Sequence, residues 1–363
     1  MVVLDSKLMQ APVLATAPQE DRMSETKDDR QTATIVDVAE RAGVAVGTVS
    51  RFINGREVRK TNEMRIREAI KELGYQTNTF AQAMKTDVTK TVAVVMDGFD
   101  EFHTQVLSNV ITQFFDHGYQ VTTYHLKNEP GELDNLMSIM TARKFDGVVM
   151  SGTFNNTISL DQLRSLQKPI VLFNDEATGI DIDRVLVNNR EASKRAVQHM
   201  IEMGHERIAI IKASDLQSSS RGRYQGFCDA MEEAGLKVME EYVCEGSWRL
   251  SDGYFALQQL MALDKPPTAL FSVNYEMTMG VLEAMKEQGL QVAKDLSLVS
   301  YDDPYFFRLL TPSITAIAQP HDVIASRLVE MMLTRLNNGI SSSSRKMTVS
   351  CDVILRDSVV RLR

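Results

Sequence analysis

TIVDVAERAGVAVGTVSRFIN, residues 34–54, is the stretch on which the reading of this chain turns. Val38, Ala39 and Ala42 put an apolar stripe on a first short helix at i, i+1, i+4 spacing. Gly43 follows where the chain has to turn sharply, a position that favours a residue able to take positive φ. Val44, Val49, Phe52 and Ile53 supply the apolar side of what comes next, leaving Gly47, Ser50, Arg51 and Asn54 on the other. Ala39 is small, so two helix backbones can approach closely at their crossing. These are the parts of a helix-turn-helix reader of DNA, although an ordinary helical hairpin shares each of them taken singly.

Further along, Val58 and residues 61–75, TNEMRIREAIKELGY, read as a third amphipathic helix with Met64, Ile66, Ile70 and Leu73 roughly on one face. Three such helices close a small core of about 45 residues, marginal on its own. Charge divides the chain in the same sense. Residues 31–90 carry ten Lys/Arg against seven Asp/Glu, while the chain as a whole has a net charge of −8. A basic end on an acidic body is the asymmetry expected when only one end meets phosphate. The first thirty residues lack helical or strand periodicity and lack a basic stretch followed by a clean apolar one, so residues 1–31 are expected to be a disordered arm without an export signal. No apolar run approaches the roughly 20 residues needed to span a membrane. Cys228, Cys244 and Cys351 are widely spaced and odd in number, which suggests buried thiols in a reduced, cytoplasmic compartment.

From residue 91 onward strands alternate with helices. The clearest strands are TVAVVM (91–96), QVTTYHL (120–126), GVVMS (147–151), PIVLF (169–173), RIAII (207–211), TALFSV (268–273) and LSLVSY (296–301). Amphipathic helices are expected over 105–117, 192–203, 223–234, 253–263 and 277–288. Nearly continuous apolar strands separated by helices predict an α/β body of doubly wound parallel sheets covered on both faces. Ligands in such sheets bind at the carboxyl ends of the strands. Enzymatic signatures are missing: there is no H-E-x-x-H, G-x-S-x-G or Walker loop, and the histidines at 103, 117, 125, 199, 205 and 321 lack metal-ligand spacing. Neither a metal, a cofactor nor an enzyme is expected.

DVAERAGVAVGTVSRFING (37–55) followed by IREAIKELGYQTNTFAQAMK (66–85) resembles the headpiece and hinge of the LacI/GalR family of bacterial transcription regulators. The likeness continues through MGHERIAII (203–211), RGRYQGFCDAM (221–231), the stretch PTALFSVNYEMTMGVLEAMKEQGLQVAKDLSLVSYDD (267–303) and ITAIAQP (314–320). It implies a headpiece over 32–78, a hinge helix and linker over 79–90, and an effector-binding, dimerising domain of periplasmic-binding-protein type over 91–357. The latter would consist of an N-subdomain (about 91–188 and 318–344) and a C-subdomain (about 189–317 and 345–357), the chain crossing near 189, 317 and 345.

The resemblance also implies sites. Arg223 of RYQGF and Asp302 of SYDD match a family arginine and aspartate of the effector cleft, where a guanidinium fork and a carboxylate can clamp neighbouring sugar hydroxyls. Trp248, Asn274, Phe99, Phe173 and Asp175 stand at further candidate positions, the phenylalanines being equally good core residues. The chain departs from the family pattern in having Asn274-Tyr275 for a common Asn-Asp, and Asn188-Asn189 for Asp-Asn. On the DNA side, Ala45 replaces the usual capping serine, at a cost of about 1 kcal/mol unless Thr48 or the backbone substitutes. Val46 and Gly47 match the family's operator-reading pair and offer no polar side chain, which leaves direct readout to Arg51, helped by Ser50 and Asn54; Arg51 suits either guanine or phosphate. Ala81 and Met84 match hinge positions that meet the minor groove. The whole implies a homodimeric regulator, a repressor of a carbohydrate-utilisation operon, with operator DNA and a sugar-like effector as partners. A solute-binding protein without a DNA role, or control by a nucleoside or a protein, are the alternatives.

Overall fold

The computed structural model describes residues 33–53, 55–75, 88–126, 131–151, 166–176, 181–339 and 343–362. The chain divides into two compact units, Met1–Thr79 and Phe80–Arg363. Three helices make up the described part of the first: α1 (Ile35–Ala42), α2 (Val46–Ile53) and α3 (Lys60–Leu73). Thr34 opens α1 through a reciprocal box. Its hydroxyl accepts from the Asp37 N–H at 3.4 Å, and Asp37 accepts from the Thr34 N–H at 2.7 Å. Gly43 closes the helix at φ 64°, with Val44 N–H donating back to the Ala39 carbonyl at 3.0 Å. Val38, Ala39, Ala42, Val49, Ile66 and Ala69 are buried at the centre, with Val44, Phe52, Ile53, Ile70 and Leu73 packed around them. Met64 is not among them; it is 72 % exposed. Residues two apart on a helix do not share a face, so Ile66 turning inward carries Met64 out.

The second unit holds two six-stranded sheets. One is built from β1 (Thr91–Met96), β2 (Gln120–His125), β3 (Gly147–Ser151), β4 (Ile170–Phe173), β5 (Asp183–Val187) and a late strand, β11 (Lys346–Val349), in the order β11-β5-β4-β3-β1-β2, with every pairing parallel. The other contains β6 (Ile208–Lys212), β7 (Val243–Glu245), β8 (Ala269–Ser272), β9 (Ser297–Tyr301), β10 (Thr315–Ala318) and β12 (Asp352–Ile354), ordered β12-β10-β9-β8-β6-β7, with only β12 antiparallel. Strands β3, β4, β6, β8 and β9 are buried along their whole length, as parallel strands covered on both faces must be.

The covering helices are α4 (Glu101–Asp116), α5 (Glu132–Ala142), α6 (Asn189–Glu202), α7 (Ser218–Glu233), α8 (Leu250–Met261), α9 (Tyr275–Glu287) and α10 (His321–Asn338). Several begin two to five residues ahead of their apolar period, because the first turn is polar and is set by its cap. Asp100 accepts from the His103 N–H at 2.9 Å to start α4, and Asn274 accepts from the Met277 N–H at 3.0 Å to start α9. Glycine decides how closely α6 packs on α7 and α8 on α9. A Cβ on Gly226 would lie 2.1 Å from the Arg190 carbonyl oxygen, and one on Gly280 would lie 1.9 Å from that of Leu250. The RYQGF segment therefore carries its glycine for backbone contact.

The chain passes between the two sheets three times: from β5 to α6, from β10 to α10, and from β11 to β12. The last passage corrects the expectation that residues 345–357 all belong with the second sheet. Lys346–Val349 pairs with β5 in the first sheet, Met347 against Val185, and the passage comes only after Val349. A buried ion pair fixes this edge: Arg335 of α10 forks both oxygens of Asp183 at 2.7 Å, and Asp183 also accepts from the Arg345 N–H at 2.7 Å. The second sheet in turn holds the chain past residue 357. Leu298 N–H donates to the Ser358 carbonyl at 3.0 Å, and Leu362 N–H donates to that of Met203 at 2.8 Å. Among the described residues no helix is long and apolar enough to cross a membrane, and no group of acidic, His and Cys side chains could hold a metal ion.

Candidate DNA-binding and effector sites

On α2, Val46, Gly47 and Arg51 are exposed, and Thr48 and Ser50 are half-buried. Ala45 brings no hydrogen-bonding side chain to the start of the helix; its carbonyl accepts from the Thr48 N–H at 2.8 Å. Arg51 Nε donates to the Gly47 carbonyl at 3.3 Å, so the guanidinium lies back along its own helix. A Cβ on Gly47 would meet nothing within 4 Å, so nothing in the headpiece itself demands glycine there. Arg41 and Arg67 are tied internally: Arg41 pairs with Glu72, and Arg67 pairs with Glu63 at 2.9 Å while lying over the Phe52 ring. Asn54, Ala81 and Met84 lie outside the described residues.

In the second unit, Arg223 and Asp302 come together where the second sheet ends at its carboxyl edge. Arg223 is only 4 % exposed. Its Nε donates to Asn189 Oδ1 at 2.9 Å and one terminal nitrogen to the Val273 carbonyl at 2.5 Å, while the guanidinium lies 3.5 Å from the centre of the Tyr301 ring. The Trp248 ring stands on the same cation at 5.5 Å. Among the described residues the other terminal nitrogen of Arg223 has no hydrogen-bond partner. Asp302 sits at φ 71°, half-buried, and accepts from Gln319 Nε2 at 2.6 Å. Burial pushes its carboxyl up, against the pull of Arg223.

Not every candidate is equally open. Asn274 spends its amide on structure: the oxygen caps α9 and the nitrogen donates to the Trp248 carbonyl at 3.0 Å. Phe173 is 1 % exposed and packs with Phe102 and His103, a core ring. Asp175 is also buried. Phe99 is the opposite, 47 % exposed, edge-on to His125 in the loop that leaves β1. Asn188, the departure from an acidic pattern, and its neighbour Asn189 work as struts. Asn188 Oδ1 accepts from the Cys351 N–H at 2.7 Å and so joins two of the passages between the sheets, and Asn189 holds Arg223.

Sequence reasoning passed over the opposite wall. His103 lies buried between Asp100 (2.9 Å from Nδ1) and Asp97 (3.3 Å from Nε2), and Ser151 donates to Asp97 at 2.9 Å. Burial opposes charge on the imidazole, but the two carboxylates outweigh it and raise His103 to about 10. The available signal was the pair of aspartates flanking the end of β1, one of them three residues ahead of the histidine on the same helical turn. Hydrogen bonds between described residues join the walls. Glu101 N–H of α4 donates to the Tyr275 hydroxyl oxygen at 3.4 Å, and Glu176 N–H donates to Ser218 Oγ at 3.0 Å.

Residues 34–78 match the family described as bacterial regulatory proteins, lacI family, and residues 197–359 match a periplasmic binding protein-like domain. The chain is 31 % identical over 332 residues to the HTH-type transcriptional repressor PurR of Haemophilus influenzae (strain PittEE), covering 90 % of this chain and 98 % of that one. The protein of the same name from Mannheimia succiniciproducens is 29 % identical over 333 residues, covering 91 % and 99 %. Among solved structures, the transcriptional regulator CelR-cellobiose complex superposes with a TM-score of 0.69 at 25 % identity, over 90 % of this chain and 99 % of that one. The lac repressor dimer bound to operator and the anti-inducer ONPF gives 0.81 over 91 % and 100 %, at 20 % identity, a likeness of fold. A headpiece whose second helix exposes Val46, Gly47 and Arg51, joined to two parallel-sheet subdomains, makes this chain a member of the LacI family of bacterial regulatory proteins, DNA-binding repressors.

Proposed function

We propose that the chain is a homodimeric, cytoplasmic regulator whose operator affinity is set by a small, uncharged, hydroxyl-bearing effector, a sugar or sugar derivative, bound between the two subdomains. The observation that carries this reading is Arg223 near Asp302, with one terminal nitrogen that has no partner among the described residues: a donor group close to a carboxylate on a half-buried wall. Such a pair suits adjacent hydroxyls, one accepting and one donating. Phe99 on the facing wall offers an exposed ring for the apolar face of the ligand.

Charge supports the uncharged class. Around the cleft stand Asp97, Asp100, Glu101, Glu276 and Asp302, while His103 is spent on Asp97 and Asp100, and Arg223 is the other cation among the described residues there. An anionic effector, such as a sugar phosphate, would meet five carboxylates. On the DNA side, two headpieces about one helical turn apart would read two half-sites. Arg51, Val46, Gly47, Thr48, Ser50 and Asn54 would face the major groove, and Ala81 and Met84 the minor groove. Closure of the cleft would reach the operator through the hinges, by no more than the effector's differential affinity for the two states.

A second reading takes a flat heteroaromatic effector, a nucleobase or nucleoside. It is favoured by the exposed Phe99 and half-buried Trp248 rings, and the PurR repressors are the relatives at 31 % identity. A thermal-shift panel of neutral sugars, sugar phosphates, nucleobases and nucleosides separates the two, followed by operator gel shifts with any ligand that stabilises the protein. Neutral sugars should stabilise it, and Asp302→Asn should remove the response while operator binding persists. Stabilisation by phosphorylated compounds alone would overturn both readings.

A further inference from the structure

The hydroxyl of Tyr275 stands at the meeting of the two subdomains. Its backbone is fixed by its neighbour: Asn274 caps α9 and is itself held to the Trp248 carbonyl, so the first residue of α9 is placed rigidly. From there the half-buried ring reaches the amino end of α4 in the other subdomain, where the Glu101 N–H donates to the phenol oxygen at 3.4 Å. The first N–H groups of a helix have no partner within it, and Asp100 satisfies only that of His103. Tyr275 thus supplies across the cleft an acceptor that α4 lacks. A second bridge, Glu176 N–H to Ser218 Oγ at 3.0 Å, joins the end of β4 to the start of α7. Both bridges use a helix start and neutral hydroxyls.

The neutrality matters because the rim is acidic. Asp100 and Glu101 on one side face Glu276, Asp302 and Asp303 on the other, and Glu101 and Glu276 are both held above the ordinary carboxylate range, by burial first and by these neighbours second. Another carboxylate at position 275 would add to the repulsion that closure must overcome. A phenol reaches the same α4 amide without that charge.

We infer that Tyr275 is a latch that, together with Ser218, holds the two subdomains closed before any effector arrives. An effector that binds the closed form then meets a protein partly arranged for it, and gains apparent affinity in proportion to the closed fraction. The inference concerns closure alone and does not depend on which effector class is correct.

Hydrogen exchange on the full-length protein without ligand tests it. In Tyr275→Phe, which keeps the ring and removes the hydroxyl, the Glu101 amide should exchange roughly two- to tenfold faster, the range within which one hydrogen bond acts. The decisive readout is the Glu176 amide at the other bridge. If the bridges act together, Tyr275→Phe accelerates exchange there too, and Ser218→Ala accelerates exchange at Glu101. Unchanged exchange at the distant bridge in either variant would reduce Tyr275 to a local contact and overturn the latch. Should Tyr275→Phe fold poorly, Ser218→Ala alone decides through the Glu101 amide.

Discussion

Replacing Arg223 by alanine tests whether the candidate effector arginine also holds the second subdomain together. Its guanidinium makes two hydrogen bonds, to Asn189 Oδ1 at 2.9 Å and to the Val273 carbonyl at 2.5 Å, and lies against Tyr301 at 3.5 Å. Hydrogen bonds from a charged group contribute about 1.5–3 kcal/mol each, and a desolvated cation over an aromatic ring about 2 kcal/mol. Such terms do not add fully when they share one group, so Arg223→Ala should cost about 4 kcal/mol. For a domain of this size 1 kcal/mol moves Tm by roughly 2–4 °C, and the body should melt about 8–16 °C lower. Scanning calorimetry of the full-length protein measures this, and circular dichroism confirms that the native fold persists below the transition. Arg223→Lys should lie between, since an ammonium keeps the charge but cannot span both acceptors in one plane. A fall in Tm of less than about 3 °C for the alanine variant would refute the reasoning and leave Arg223 a ligand contact only. The same arithmetic makes Asp302→Asn the cleaner probe of effector response, because an amide oxygen can still accept from Gln319.

Other outcomes follow from the same geometry. Arg51→Ala should lower operator affinity by about 1–3 kcal/mol and flatten the preference among operators changed at one base pair; titrations that show an equal loss on every operator would assign Arg51 to phosphate. Gly280→Ala would bring a methyl group within 1.9 Å of the Leu250 carbonyl oxygen, and the backbones of α8 and α9 would have to separate. Overpacking of this kind costs about 3 kcal/mol, and an unchanged urea midpoint would show that the two helices yield more readily than the contact suggests. Gly47→Ser, by contrast, should leave thermal stability within about 0.5 kcal/mol, because a Cβ there meets nothing, while altering operator preference in a binding-site selection.

The alternation of sheet and helix was legible because the central strands are buried on both faces and so read as unbroken apolar runs, TVAVVM and LSLVSY among them. The edges were not. DRVLV of β5 opens with Asp183 and Arg184, and KMTV of β11 alternates exposed and half-buried positions, so neither has a core strand's signature. Which sheet β11 joins is decided far away in sequence, by Asp183 gripping Arg335 (152 residues on) and the Arg345 amide (162 residues on), a contact that no local pattern announces. The site divides along the same line. A motif can place Arg223 and Asp302 at the cleft because both stand at fixed distances from a strand or a helix start. It cannot say how many of the fork's donors remain for a ligand, since that number depends on Asn189, Val273 and Tyr301, which come from three other segments. His103 was hidden for the related reason that a lone histidine on a helix gives no sign of charge until the turn before it folds back and brings Asp97 and Asp100 to its two nitrogens. Substitutions that look like lost carboxylates, at Asn188 and Tyr275, turn out in three dimensions to be neutral struts between segments, as does the neighbouring Asn189. In a cleft with so many acids on its walls, neutral residues at the crossing points let the two halves close without adding to the repulsion.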